Sequence, residues 1–213
     1  MPTTLLDWPT LPRLTRASDI PLTFHTQRFL TVVEQQIGIF PSDVPAAVSP
    51  AEIAALIARH DLYLQATNAG GVLVLGPRGR LHQGLAPHRR PSVGSALDGA
   101  YLYRAINLLT AQGLEHQGYR RGPNRTHDTS LEQFVDAAGT IHYLMGRARP
   151  LAPQTLRKEW QDLFRELTVK NRVLIIATPD LRTTRSWASK SIVRDHVQVL
   201  HVPLRFTTTI RYG

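Results

Sequence analysis

The residues best suited to chemistry are arginines, and they come in groups. Arg78, Arg80, His82, His88, Arg89 and Arg90 fall within thirteen positions that contain no acid. A guanidinium presents a planar fork of donors that matches a phosphate, so such a group can grip a sugar–phosphate backbone. A second group is Tyr119, Arg120, Arg121, Gly122, Pro123, Asn124, Arg125, Thr126 and His127. There an aromatic ring beside three arginines can stack on an unpaired base while the cations hold its phosphates. The third group is Arg182, Arg185, Lys190 and Arg194, around Trp187. Each also has a plainer reading, as an ordinary solvated loop or helix face. Taken together, the guanidinium groups are expected to form a continuous electropositive face for a polyanion.

Other chemistry finds little support. The nine histidines include no His-x-x-x-His or His-Glu-x-x-His pair, so a metal site is not indicated. A Gly-x-Ser-x-Gly elbow and a Gly-x-x-x-x-Gly-Lys phosphate loop are both absent, which argues against a serine hydrolase and a nucleotide hydrolase. A metal-dependent nuclease needs clustered carboxylates. Asp136, on a hairpin, and Asp180, after an apolar strand, are lone acids. The expectation is therefore no catalytic residue, no metal and no cofactor.

Charge supports the arginine reading. The chain has 213 residues, a net charge of +9, 22 arginines and three lysines. An arginine excess fits a nucleic-acid surface, and it fits a GC-rich genome equally well. The balance is uneven: residues 1–100 hold 8 basic and 7 acidic residues, against 17 and 9 in residues 101–213. Phosphate attraction should therefore belong mainly to the second half. The absence of cysteine excludes disulfides and thiolate sites and is compatible with a reducing cytoplasm. No apolar run approaches the roughly 18 residues of a membrane span, and no secretory signal is read at the start. A cytoplasmic protein is expected.

These side chains need elements to place them. Residues 1–22, with Pro2, Pro9, Pro12 and Pro21, read as an extended arm whose Leu5, Trp8 and Leu11 could pack on the body or a second subunit. Phe29, Leu30, Val33 and Ile37 predict a helix over 26–37, ended by Gly38. Ser42 caps a short second helix, and Ser49-Pro50 opens a third that buries Ile53, Leu56 and Ile57. On that third helix only Glu52 and Arg59 could reach a base edge, so it either reads weakly or only packs. Two strand-like runs, DLYLQATN and GVLVLGPRGRL, then flank a turn at Asn68-Ala69-Gly70-Gly71. Helix, hairpin and basic tip is the order of a winged helix, over residues 23–90, with Arg78, Arg80 and His82 on the wing.

Residues 86–95 read as a connector, and 95–213 as a basic α/β domain. It contains a helix over 96–112, a hairpin over 131–149, a helix over 156–167, buried strands at 172–179 and 197–204, and a basic helix over 181–194. LIARHDLYLQ and LLTAQGLEHQ, each before a hairpin, form a faint echo that would make a second winged helix near 96–149. The apolar face of 96–112, or the arm, could serve a homodimer.

The order of elements resembles the replication-relaxation family of winged-helix proteins. The resemblance is carried by RFLTVVEQQIGIF, SPAEIAALIARHDLYLQ, GVLVLGPRGR, AYLYRAINLLTAQGLEHQGYRRG, RVLIIATP and VQVLHVPL. It implies a C-terminal α/β half similar to a nuclease-type core, and DNA binding in plasmid or mobile-element replication, mobilisation or transcription control. Met145-Gly146-Arg147 stands where that family pattern has an acidic pair, which implies a degenerate core. The expected function is non-enzymatic binding of DNA, duplex favoured and single strand possible. The alternatives are a protein–protein interaction module and a divergent metal-dependent nuclease.

Overall fold

The computed structural model describes residues 22–120, 131–149, 151–190 and 193–204, apart from the side chains of Tyr119, Arg120 and Glu166. The proline-rich arm therefore lies outside the described residues, bar its last position. The chain divides into two compact units, with the boundary between Ala100 and Tyr101.

In the N-terminal unit, α1 (Phe24–Gln36) is capped by the Thr23 side chain, which accepts from the Thr26 amide. Its inner face buries Phe29, Leu30 and Val33. The helix ends one residue earlier than Gly38 suggests, because Ile37 itself takes the left-handed conformation (φ 66°). Gly38 serves close packing instead: a Cβ there would lie 2.6 Å from the Ala96 carbonyl oxygen and 2.7 Å from Val72 Cγ1. The expected second helix is a single 3-10 turn, Pro41–Asp43, preceded by Phe40 rather than capped by Ser42. Pro45 explains the arrest, since a residue before proline is driven to extended backbone, and Val44 adopts ψ 131°.

The next helix, α2 (Pro50–Ala58), follows the sequence signal closely. Ser49 and Glu52 form a reciprocal capping box, with proline at the first position. A left-handed His60 (φ 61°) closes it, with amide bonds from His60 to the Ile57 carbonyl and from Asp61 to the Leu56 carbonyl, a Schellman pattern. Antiparallel β1 (Leu62–Thr67) and β2 (Gly70–Leu75) form the wing, joined through Asn68-Ala69, and Ile39 bridges to Leu73 on the inner edge. This is a winged helix with its middle helix reduced to one turn.

The wing ends sooner than its sequence suggests. Pro77–His82 form a short helix, α3, so Arg78, Arg80 and His82 do not stand on the hairpin. Gly76 and Gly79 permit the turn. A Cβ at Gly76 would sit 2.3 Å from the His60 carbonyl oxygen, and one at Gly79 would sit 2.1 Å from that of Asp61. The long helix α4 (Val93–Ala111) follows.

The C-terminal unit is built on one five-stranded sheet, in the order β3 (Glu115–Arg120), β4 (Leu131–Val135), β5 (Ile141–Gly146), β6 (Val173–Thr178), β7 (Val197–His201). The first three strands run antiparallel and the last three parallel. The parallel pairs are joined through α5 (Pro153–Thr168) and α6 (Leu181–Ala188), as parallel neighbours require a crossover. One sheet face packs Tyr143, Met145, Leu174 and Ile176 into a core with Trp160, Leu163 and Trp187 of the two helices. On the other face, Phe134, Leu144 and Ile175 are buried as well, and the Tyr101 ring lies against Gly146. The fold is mixed α/β, with a two-stranded sheet in one unit and a five-stranded sheet in the other. The expected second winged helix does not form, because the β4–β5 hairpin continues into a shared sheet with β6 and β7. The expected helix over 181–194 stops at Ala188, and Arg194–His196 form a separate 3-10 turn.

Candidate nucleic-acid interface

A buried acid captures part of the first arginine group. Asp61 has no exposed side-chain surface, and Arg59 Nε, His82 Nε2 and Arg78 Nε lie 3.1, 3.4 and 3.7 Å from its oxygens. The two arginine contacts are ion pairs by proximity rather than aligned hydrogen bonds. Burial pushes the Asp61 carboxyl above the usual aspartate range, opposed by Arg59, His82, Arg78 and His60. By sequence, Arg59, Arg78 and His82 are expected to face a polyanion. The structure turns all three towards Asp61, because the end of α2, the start of β1 and α3 meet there. Asp61 was not foreseen. Its one local signal is an acid placed directly after a basic helix end and before an apolar strand.

The rest of the group faces outward. Arg80 is half-buried, its Nε donating to the Ala86 carbonyl at 2.7 Å, while His88, Arg89 and Arg90 are exposed. Arg80, Arg89 and Arg90 line a cavity of about 380 Å³ together with Glu34, Ser92 and Ser95. Ser92 Oγ accepts from the Ser95 amide at 3.0 Å and so caps the start of α4. The floor is apolar, with Val33, Ile37, Leu75 and Leu85. Burial and then the neighbouring Arg89 push the Arg80 guanidinium down, with Glu34 opposing. The wing tip carries no cation, since it is Asn68-Ala69. The expected continuous basic face is thus split within this unit into an inward set and an outward set.

In the C-terminal unit, Tyr119 and Arg120 close β3, and Arg121 and Arg125 lie outside the described residues. On α6, Asp180 caps the first turn by accepting from the Arg182 amide at 3.0 Å. Thr184, Trp187 and Ala188 are buried, which leaves Arg182 and Arg185 on the solvent face. Lys190 is exposed just beyond the helix. Arg194 sits in the 3-10 turn, 3.8 Å from the equally exposed Asp195.

The carboxylates are otherwise engaged. Asp136 Oδ1 accepts from the Ala138 and Thr140 amides at 2.9 and 2.8 Å, and Oδ2 lies 3.0 Å from His142 Nε2. These bonds, that of His142 first, hold the Asp136 carboxyl down at about 2. Glu132, on β4, pairs with His116 Nε2 at 2.8 Å on β3. Neither acid–histidine pair was singled out from sequence, because the partners meet only through strand register. Among the described residues no three His, Asp or Glu side chains gather as metal ligands. No helix among them is long and apolar enough to cross a membrane. The apolar face of α4, offered as a dimer surface, is largely consumed within the chain, with Leu97, Tyr101, Ile106 and Leu109 all buried.

No family model and no curated protein matches the chain. A solved structure of EndoMS in its apo form is similar to it, with 12% sequence identity and a TM-score of 0.37. The match covers 64% of this chain and 52% of EndoMS, so the chain spans about half the length of that protein.

Proposed function

We propose that the chain is a DNA-binding protein that works without catalysis, through cations left unneutralised on each unit. The observation that carries this reading is the exposure of Arg89 and Arg90 in one unit and of Arg182, Arg185 and Lys190 in the other. None of these five has a carboxylate partner among the described residues. Exposed guanidinium groups of this kind contact phosphates and set register without reading bases. The role of α2 is packing, since its exposed residues are Pro50, Ala51, Ala54, Ala55 and Ala58, and Arg59 is drawn to Asp61. Sequence preference should accordingly be weak. The resemblance to replication-relaxation proteins supports a place in plasmid or mobile-element replication or transcription control, in the cytoplasm.

A gel-shift series with duplex and single-stranded DNA tests this. Affinity should fall steeply between about 50 and 200 mM salt, as neutralised phosphates release counterions. A flat salt response would remove the basis of the proposal. The nuclease alternative predicts nicking of plasmid with Mg²⁺ or Mn²⁺, and intact plasmid is the outcome expected here.

A further inference from the structure

We propose that the cavity between α1, α3 and the start of α4 binds a nucleotide by its phosphate, with Arg80, Arg89 and Arg90 as the anion clamp. Arg80, Arg89 and Arg90 line one concavity that holds a single carboxylate, Glu34. The like charges of Arg80 and Arg89 are close enough to repel, so an anion beside them relieves a cost already present in the free protein. Hydroxyls of Ser92 and Ser95, 2.8 Å apart, stand on the same wall. A hydroxyl of this pair can donate to a phosphate oxygen.

The floor decides between a bare ion and a nucleotide. Inorganic phosphate would use the rim alone. Of the floor residues Val33, Ile37, Leu75 and Leu85, Ile37 and Leu85 are the ones not buried, and they offer a surface suited to the face of a base or a sugar edge. A volume of about 380 Å³ falls within the roughly 300–1,000 Å³ of small-molecule sites. Two sources share this chemistry, a free nucleotide and the phosphorylated end of an unpaired strand. The second source rests on the DNA-binding reading above, whereas the cavity chemistry does not.

Titration calorimetry of the full chain with dAMP, deoxyadenosine and inorganic phosphate tests the site. Deoxyadenosine and phosphate should each bind at least about tenfold more weakly than dAMP, the order expected when a charge-assisted contact is lost. Arg89→Ala should weaken dAMP by about tenfold, while Glu34→Gln should tighten it about threefold. A merely structural role for the two residues would not give opposite signs. Arg89 is exposed, and an unchanged melting curve will show that its variant is folded. Arg80 is left alone because its side chain holds the Ala86 carbonyl. Competition by dAMP against a labelled, 5′-phosphorylated single strand then separates the sources: displacement assigns the cavity to the strand end, and binding without displacement assigns it to free nucleotide. Equal binding of dAMP and deoxyadenosine, or an unaltered Arg89→Ala, overturns the site even if DNA still binds. Loss of all DNA binding with dAMP retained overturns the DNA-binding reading and leaves the cavity standing.

Discussion

Asp61 has no exposed side-chain surface, yet two guanidinium groups and an imidazole stand within 3.7 Å of its oxygens. Removing the acid takes a carboxylate partner from Arg59 and Arg78, and Asp61→Ala should lower stability in urea unfolding more at about pH 4 than at pH 7. Because burial raises its pKa, the native state binds this proton more tightly than the unfolded chain. Its contribution is full below the unfolded value of about 3.9 and is lost as pH rises through the native one. Asp61→Asn should therefore abolish a decline in stability that the natural chain shows as pH climbs above about 4. Asp136 has the opposite sign. Its lowered pKa of about 2 gives stability that is present above the unfolded value and lost as pH falls through about 2. Asp136→Asn should flatten the acid limb of unfolding, and an unchanged limb would show that the His142 and amide bonds contribute nothing.

At the scale of elements, the end of α1 is the strained place. Ile37 is β-branched and sits at φ 66°, where side chains other than glycine cost about 1–2 kcal/mol. Glycine gives back roughly half of that in unfolded-state entropy, so Ile37→Gly should raise stability by about 0.5–1 kcal/mol in a denaturant midpoint. A loss instead would mean that the Ile37 side chain, 46% exposed, does more on the cavity floor than its exposure suggests. Helix α6 makes the complementary case. Its inward Thr184 and Trp187 anchor it, while Arg182 and Arg185 point to solvent and should be replaceable without harm to the fold. Each alanine at these two positions should reduce the salt slope of DNA binding by about one, uniformly across sequences.

For the whole molecule, the net charge of +9 is a statement about partners and solubility, not about fold. If both units contact one polyanion, combining Arg89→Ala and Arg90→Ala with the two α6 alanines should lower the slope by about four. A slope that stops changing after either pair would assign binding to one unit alone. Much of the architecture could be read in advance from neighbours along the chain. Ser49, Pro50 and Glu52 spell out the start of α2, Asp136 to Gly139 mark the β4–β5 turn, and the apolar run at 172–179 is β6. Such signals survive because caps, turns and periodicity act over a few residues. What tertiary structure alone decided was the orientation of charge. Arg78 and Arg80 are two positions apart, yet one turns to a buried Asp61 and the other to an open cavity. That outcome depends on Gly76 and Gly79 letting α3 settle against the backbone of His60 and Asp61. A close approach between segments cannot be read from either segment separately, and the fate of a charge follows from what the approach brings within reach.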